Sequence, residues 1–313
     1  MIQEKLQINV DASSLSKSAC TLAWYRTIVQ GYREPRMSAA IVYGIAVHKF
    51  IDTMMRTSGE FGQSHLQALT SFRIPKIPNR KQSYLEDENH LITTCNWVWL
   101  CVIKEEKSFD ILKLANGEPA IELNFSIPYY EDDTIVVNLC GTIDKIGKFK
   151  SGIFAIGDWK TSSTHDPEVH LDRYTMAAQL RVYTLAMRLM SRHFPDSLLG
   201  KIGAEPLGAF IDGLYLRPKP NDNEFHRGDV MRFDDADMEM FESNLNNRII
   251  SLSRAIANNT WHNKEGIVNG ACSQAYGKCA FWGVCSRPEP HLVEAMLKRD
   301  FVQRPYNPLN FRD

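Results

Sequence analysis

The feature that most constrains the fold is a change in hydrophobic periodicity near residue 120. Before this point apolar residues recur at helical spacing, and after it they alternate with polar ones, as they do along strands. Residues 120–128, 134–147 and 153–159 are therefore predicted to form three consecutive strands. Because the links between them are short enough for hairpins, we expect an antiparallel meander.

Helical patterns lie on both sides of the meander. Helices are predicted over residues 12–31, 38–57, 82–107, 172–192 and 234–258, and a further strand over 210–217. The prolines and basic residues of 71–81 predict a loop. This order of elements predicts a single α/β or α+β domain with a helical layer. We divide it into an N-terminal helical region (1–115), a core (116–258) and a cysteine-rich C-terminal segment (259–313), which form one integrated domain.

The composition excludes several classes of protein. A chain of 313 residues that is 44% hydrophobic and 23% charged has the composition of a globular protein rather than a disordered one. Its 36 basic and 37 acidic residues exclude a protein that coats nucleic acid by bulk charge, although a local basic groove remains compatible with them. No apolar run approaches the ~20 residues of a membrane span, so no membrane partner is expected.

Two aspartates and a lysine are predicted to converge on the second hairpin. If its strands turn near residue 151, Asp144 lies opposite Asp158, and Lys160 projects from the same face as Asp158. Two carboxylates about 5 Å apart repel each other unless a cation lies between them, which indicates a divalent metal site. The alternative is a surface hairpin whose Asp158 and Lys160 form exposed ion pairs, and the hairpin alone does not decide between the two.

The seven cysteines fall into two groups. Three lie among apolar residues and are predicted to be core thiols: Cys95, Cys101 and Cys140. Three more lie within fourteen residues near the C-terminus, and one stands near the start of the chain: Cys272, Cys279, Cys285 and Cys20. This clustering favours metal ligation over disulfides.

Four segments occur in a fixed order: GIAVH (44–48), GTIDKIG (141–147), IGDWKTSS (156–163) and MAAQLRVYTLA (176–186). Together they resemble the PD-(D/E)XK nuclease superfamily, specifically its RecB-type exonuclease branch, over about residues 12–287. The resemblance implies a restriction-endonuclease-like core, in which a central mixed sheet is flanked by helices.

The resemblance also implies roles for individual residues. His48, Asp144 and Asp158 would be metal ligands, with the carbonyl of Trp159 as a further one. Lys160 would position the attacking water. Because imidazole suits Mn²⁺ better than Mg²⁺, either ion is compatible with this set.

Three further residues are candidates for the active site. Gln179 and Tyr183 share one helix face, and the resemblance places them at the active site, whereas ordinary amphipathicity would also produce this spacing. If the first hairpin turns near residue 131, Glu122 lies across from Gly141, one pleat short of Asp144. It is then either an acid that supports the metal or an ordinary strand residue.

The outlying cysteines extend the resemblance. Iron–sulfur members of this branch have one cysteine before the first helix and three after the core, and Cys20, Cys272, Cys279 and Cys285 match that layout. A 4Fe-4S cluster is implied, with zinc as the alternative. The spacing here departs from the usual CxxC pair.

The resemblance implies a metal-dependent DNA exonuclease of recombination, repair or phage DNA processing, in the cytoplasm of a bacterial or phage-infected cell. Its substrate would be DNA with a free or single-stranded end, and Lys145, Lys148 and Lys150 could contact phosphates unless they are simply solvated. The alternatives are a CRISPR-adaptation-type nuclease that trims spacer precursors and a DNA-binding subunit with a structural core. A recombination or CRISPR-adaptation protein would be the partner.

Overall fold

The computed structural model describes residues 5–35, 37–57, 59–72, 83–105, 108–260, 266–274, 277–287 and 289–310. The loop predicted at 71–81 lies almost entirely outside these ranges. No helix in them is both long and apolar enough to cross a lipid bilayer.

The helices and strands follow one another in the mixed order expected of an α/β chain. The α-helices are α1 (Ala12–Lys17), α2 (Thr21–Trp24), α3 (Ala39–Arg56), α4 (Phe61–Ser71), α5 (Glu88–Glu105), α6 (Pro167–Thr175), α7 (Ala178–His193), α8 (Leu198–Gly203), α9 (Asp235–Ala257), α10 (Gly266–Asn269), α11 (Trp282–Cys285) and α12 (Pro290–Asp300). The strands are β1 (Leu6–Val10), β2 (Tyr32–Arg33), β3 (Phe109–Ile111), β4 (Ile121–Glu131), β5 (Ile135–Phe149), β6 (Phe154–Ser162), β7 (Gly208–Tyr215), β8 (Glu224–Arg227), β9 (Met231–Arg232), β10 (Ser273–Gln274), β11 (Gly277–Lys278) and β12 (Val302–Gln303).

The three predicted central strands are confirmed as β4, β5 and β6, each slightly longer at its C-terminal end. The β5–β6 hairpin turns at Gly152, whose φ of 91° lies in the left-handed region that glycine tolerates best. Its antiparallel register pairs Lys145 with Gly157 and Lys148 with Phe154, which confirms the predicted turn position.

The described residues form a mixed sheet of eight strands flanked by helices, as expected for a restriction-endonuclease-like fold. Its main path runs β1-β5-β6-β7-β8, with β3 and β4 also paired to β5 and β9 to β7. The β1–β5 and β6–β7 pairs are parallel, whereas β5–β6 and β7–β8 are antiparallel. The predicted strand 210–217 is β7, which begins and ends two residues earlier.

Helix α3 confirms the helix predicted over 38–57. Ser38 caps its first turn by accepting a hydrogen bond from the amide of Ile41. Its buried face includes Tyr43, Val47 and Phe50, which belong to an apolar cluster shared with α5. This burial fixes the face on which His48 is presented.

Two predicted helices are divided in the structure. The segment 12–31 contains α1, α2 and a π-helical turn, because Asp11 caps a short first helix that ends at Ser18. The segment 172–192 belongs to α6 and α7, which are separated at Ala177 by an extended backbone. The helix predicted from 82 begins at Glu88, after a short 3₁₀ turn.

The chain forms two compact units. One comprises residues 1–36, 125–141 and 234–311, and the other comprises mainly 37–124 and 142–233. The first contains the apolar cluster around Cys20 and Phe281, and the second contains the core around α3.

Candidate metal centre

The predicted pair of aspartates lies where the ladder between β5 and β6 opens. Regular pairing ends at Lys145 and Gly157. These residues are the chain neighbours of Asp144 and Asp158, which lie just beyond the paired part of the hairpin. Beyond that point the main-chain N–H of Trp159 donates to Oδ2 of Asp144 at 2.8 Å. Both carboxylates are completely buried, so this is not a solvated surface hairpin.

The electrostatics of the pair favour a bound cation. Burial, and then the charge of Asp144, raises the pKa of Asp158 to about 6. Lys160 Nζ lies 2.5 Å from Oδ2 of Asp158, so the two groups form an ion pair at the buried end of the site. Burial alone would lower the pKa of Lys160, but the charges of Asp158 and Asp144 outweigh burial and raise this pKa above its usual range.

His48 lies at the same opening. Its Nε2 is 3.1 Å from the carbonyl oxygen of Trp159, and its Nδ1 is 3.0 Å from Glu122 and 3.7 Å from Asp144. One ligand atom from each of His48, Glu122 and Asp144 falls within 4.8 Å of the others, whereas Asp158 lies outside this tightest set. Imidazole, carboxylates and a main-chain carbonyl suit Mg²⁺ or Mn²⁺.

The predicted register of Glu122 is wrong. The amide of Ile146 donates to the carbonyl of Ala120, and Thr142 donates to the side chain of Asn124, so Glu122 is level with Asp144 rather than with Gly141. The cause is the turn, which lies at 132–134 and not near residue 131. Glu122 therefore lies closer to the metal centre than the sequence indicated.

The backbone of Glu122 is unusual. Its φ is 46°, in the left-handed region that non-glycine residues rarely adopt. Such a conformation costs about 1–3 kcal/mol and is concentrated at functional sites. Here it accompanies the contact between the Glu122 carboxylate and His48.

Helix α7 contributes the predicted glutamine and tyrosine. The Gln179 side-chain amide donates to Oδ1 of Asp158 at 2.9 Å and to the Tyr183 hydroxyl at 2.7 Å. The break at Ala177 places Gln179 in the first turn of α7, next to the sheet. The structure thus brings Gln179 and Tyr183 to the buried aspartates.

Asp52 is a neighbour of this centre that the sequence analysis did not single out. Burial raises its pKa, Arg56 opposes that rise, and the charge of Glu122 adds to it. Asp52 lies one helical turn beyond His48 on α3, and this i, i+4 spacing was the available signal.

Comparison with known families decides the class to which this arrangement belongs. The family model described as the PD-(D/E)XK nuclease superfamily matches residues 13–286. The chain belongs to the PD-(D/E)XK nuclease superfamily. No curated protein matches it in sequence. Membership implies metal-dependent hydrolysis of phosphodiester bonds, and therefore binding of nucleic acid.

One residue predicted to face phosphates in this nuclease is placed elsewhere. Lys145 is buried and forms an ion pair with Asp212, which also accepts two hydrogen bonds from Arg227. The charges of Lys145 and Arg227 outweigh burial and hold the pKa of Asp212 below its usual range, whereas burial lowers the pKa of Lys145. We take the pair as ionised because two basic groups contact one carboxylate. Lys148 and Lys150 are exposed.

The outlying cysteines of the nuclease lie near one another as thiols. Cys20, Cys279 and Cys285 belong to one apolar cluster, and the amide of Cys279 donates to the carbonyl of Cys272. Burial raises the pKa of Cys279, and the charges of the other three thiols add to the rise. Among the described residues no three of these sulfurs reach the 4.8 Å spacing of the carboxylate site.

The remaining cysteines are only partly as predicted. Cys95 and Cys140 are buried, which confirms their assignment as core thiols. Cys101 is partly exposed and lines a small cavity of about 20 Å³ beside Lys145 and Trp159.

A close approach between α3 and β6 sets the position of His48. A Cβ atom at Gly44 would lie 2.8 Å from Oγ1 of Thr161, so an alanine there forces Thr161 or the helix to move. We expect Gly44→Ala to lower the rate of phosphodiester cleavage by roughly tenfold, because small displacements of catalytic groups are costly. Cleavage assays and thermal unfolding of the purified variant measure this.

Gly62→Ala is the matched control. Gly62 lies in α4, and a Cβ there meets no atom within 4 Å. It should leave cleavage unchanged and stabilise the helix by up to about 1 kcal/mol. Equal activity in the two variants would show that the helix approach at Gly44 does not control the site.

Proposed function

We propose that the protein is a metal-dependent DNA exonuclease that acts in recombination, repair or phage DNA processing. The observation that carries this proposal is the complete burial of two carboxylates, Asp144 and Asp158, at the opening that His48 also lines. A DNA-binding subunit with a purely structural core has no need of this arrangement, whose burial is costly.

The metal site proposed here combines Asp144, Asp158, His48 and the Trp159 carbonyl, with Glu122 beside them. Mg²⁺ or Mn²⁺ in this site would activate water and neutralise charge that develops on the phosphodiester. Glu122 orients the imidazole of His48, as carboxylates that contact metal-binding histidines commonly do.

Three side chains have separate tasks in this proposal. Lys160 positions the attacking water and stabilises negative charge on the phosphate, because its ammonium lies beside Asp158. Gln179 donates a hydrogen bond to Oδ1 of Asp158 and so fixes the orientation of the carboxylate that would bind the metal. Tyr183 accepts a hydrogen bond from Gln179 and so fixes the orientation of its amide.

For the four outlying cysteines we propose a 4Fe-4S cluster. The support is that thiols from the start and the end of the chain share one apolar cluster. Tetrahedral zinc, with Zn–S distances of about 2.3 Å, would need sulfurs closer together than the larger cluster does. The buried Arg26 donates a hydrogen bond to the sulfur of Cys285. Hydrogen bonds to the sulfurs are one of the interactions by which a protein tunes an iron–sulfur cluster.

A digest of DNA with different ends tests the proposed activity. End-labelled linear and circular DNA, each single- and double-stranded, would be incubated with the protein and Mg²⁺ or Mn²⁺. An exonuclease degrades the linear forms and spares the circles. Cleavage of circles would indicate an endonuclease, and binding without cleavage would favour the DNA-binding subunit. Preferential trimming of short duplexes with single-stranded ends would favour the CRISPR-adaptation nuclease.

The first prediction concerns the acid and the lysine of β6. Asp158→Ala and Lys160→Ala are each expected to reduce cleavage about a hundredfold or more, since each removes a group that acts on the reacting phosphate. Asp158→Ala should unfold at the same or a slightly higher temperature, because it relieves repulsion with Asp144. Asp110→Ala and Lys201→Ala, both at exposed positions, are controls that should retain activity.

The second prediction concerns the metal. EDTA should abolish cleavage, and Mn²⁺ should restore it at least as well as Mg²⁺, because imidazole favours the softer ion. His48→Ala should lose more activity in Mg²⁺ than in Mn²⁺, because the site binds Mg²⁺ less tightly and has less affinity to spare once a ligand is removed. The measurement is the cleavage rate against metal concentration, and undiminished cleavage in EDTA is incompatible with the proposed site.

The third prediction concerns the cysteine cluster. Anaerobically purified protein should be brown and contain iron, and Cys20→Ser should lose colour and iron together with a few kcal/mol (~2–4) of stability, by analogy with other long-range crosslinks. Metal analysis and thermal unfolding measure this, with Cys101→Ser as the control outside the cluster. Colourless protein with stoichiometric zinc would show that the cysteines bind zinc instead of an iron–sulfur cluster.

A further inference from the structure

Lys145 takes an unusual path across the sheet. It follows Asp144 on β5, and because side chains alternate along a strand it projects from the opposite face. Its side chain crosses β6 at Gly157, the residue paired with it. A Cβ atom at Gly157 would overlap the Lys145 side chain and the ring of Phe210. Glycine at this position therefore opens the path that Lys145 follows.

The far end of Lys145 reaches the next strand. Its ammonium pairs with Asp212 on β7, a residue in register with Trp159 on β6. Arg227 already donates two hydrogen bonds to the same carboxylate, at 2.7 and 2.8 Å. Asp212 is therefore neutralised without Lys145. Burying a second cation is costly, so we expect Lys145 to have a role beyond neutralising Asp212.

The ring of Trp159 supplies that role. Lys145 Nζ lies 4.2 Å from the centroid of this indole, within the range of a favourable cation–π contact, and the indole is itself buried. The main chain of the same residue meets the metal centre on both sides. Its N–H donates to Asp144, and its carbonyl lies 3.1 Å from His48.

We propose that Lys145 is a positioning residue, which holds the indole of Trp159 and thereby fixes the main-chain N–H and carbonyl of Trp159 at the metal centre. The proposal rests on the proposed function only in that this centre binds a divalent metal. Asp212 and Arg227 anchor the lysine on β7, and Gly157 admits it. Movement of the indole would displace both the N–H and the carbonyl of Trp159 from the metal centre.

The test is Mn²⁺ binding to the purified protein, followed by electron paramagnetic resonance of the free ion. Lys145→Met keeps an unbranched apolar side chain over Gly157 and leaves Asp212 paired with Arg227. It should bind Mn²⁺ about tenfold more weakly, the usual effect of losing a group that supports a metal ligand. Lys148→Met removes an exposed lysine that lies over the ring of Phe154 on the same hairpin, and it should bind Mn²⁺ as the wild type does.

Circular dichroism and thermal unfolding separate positioning from stability. A lysine that only stabilises the fold would lower the unfolding temperature and leave the Mn²⁺ affinity of the folded protein unchanged, and this result would overturn the proposal. If Lys145→Met does not fold, Trp159→Phe provides the same test. It keeps the ion pairs of Asp212 with Lys145 and Arg227 and replaces the indole by a smaller ring. Unchanged Mn²⁺ affinity in folded Trp159→Phe would also overturn it.

Two further comparisons separate this inference from the proposed function. Asp158→Ala should abolish Mn²⁺ binding, and wild-type protein that binds no Mn²⁺ would refute both the metal centre and the role of Lys145. Wild-type protein that binds Mn²⁺ through Asp158 but cleaves no DNA would refute only the exonuclease. Weakened binding in Lys145→Met would then still support the positioning role.

Discussion

The repulsion between two buried carboxylates is the interaction on which the rest of the site depends. Asp144 and Asp158 are both removed from solvent, and neither could remain charged there without compensation. The compensating groups come from separate elements: a main-chain amide and an ammonium of β6, and a side-chain amide of α7. The fold must therefore assemble before the acids can be tolerated, and a cation completes what these groups begin.

Much of this site was accessible from the sequence because it depends on local geometry. The proximity of Asp144 and Asp158 follows from a single tight hairpin, and the shared face of Gln179 and Tyr183 follows from one helical turn. The family resemblance added His48, whose distance along the chain no local rule could bridge. The superfamily and the mixed sheet were confirmed, whereas the individual roles stay predictions.

The wrong predictions concern residues whose positions depend on long-range contacts or on the exact place of a turn. A turn one or two residues from its expected place moved Glu122 level with Asp144. Lys145 was predicted to contact phosphates or to be solvated, and both alternatives were wrong. The sequence does not reveal that β7, which begins about fifty residues after the hairpin, brings Asp212 beside β6. The division of two helices was missed because apolar spacing continued through the breaks at Ser18 and Ala177.

The left-handed backbone of Glu122 has a consequence for how the protein can change over evolutionary time. Glycine at this position would relax the chain and, in isolation, favour folding. It would also remove the carboxylate that contacts His48. With the role proposed for Glu122, selection for stability and selection for activity oppose each other at this single residue, the trade-off expected of strained active-site positions. A lineage that loses the need for cleavage would be free to accept the glycine, whereas an active nuclease would retain the strain.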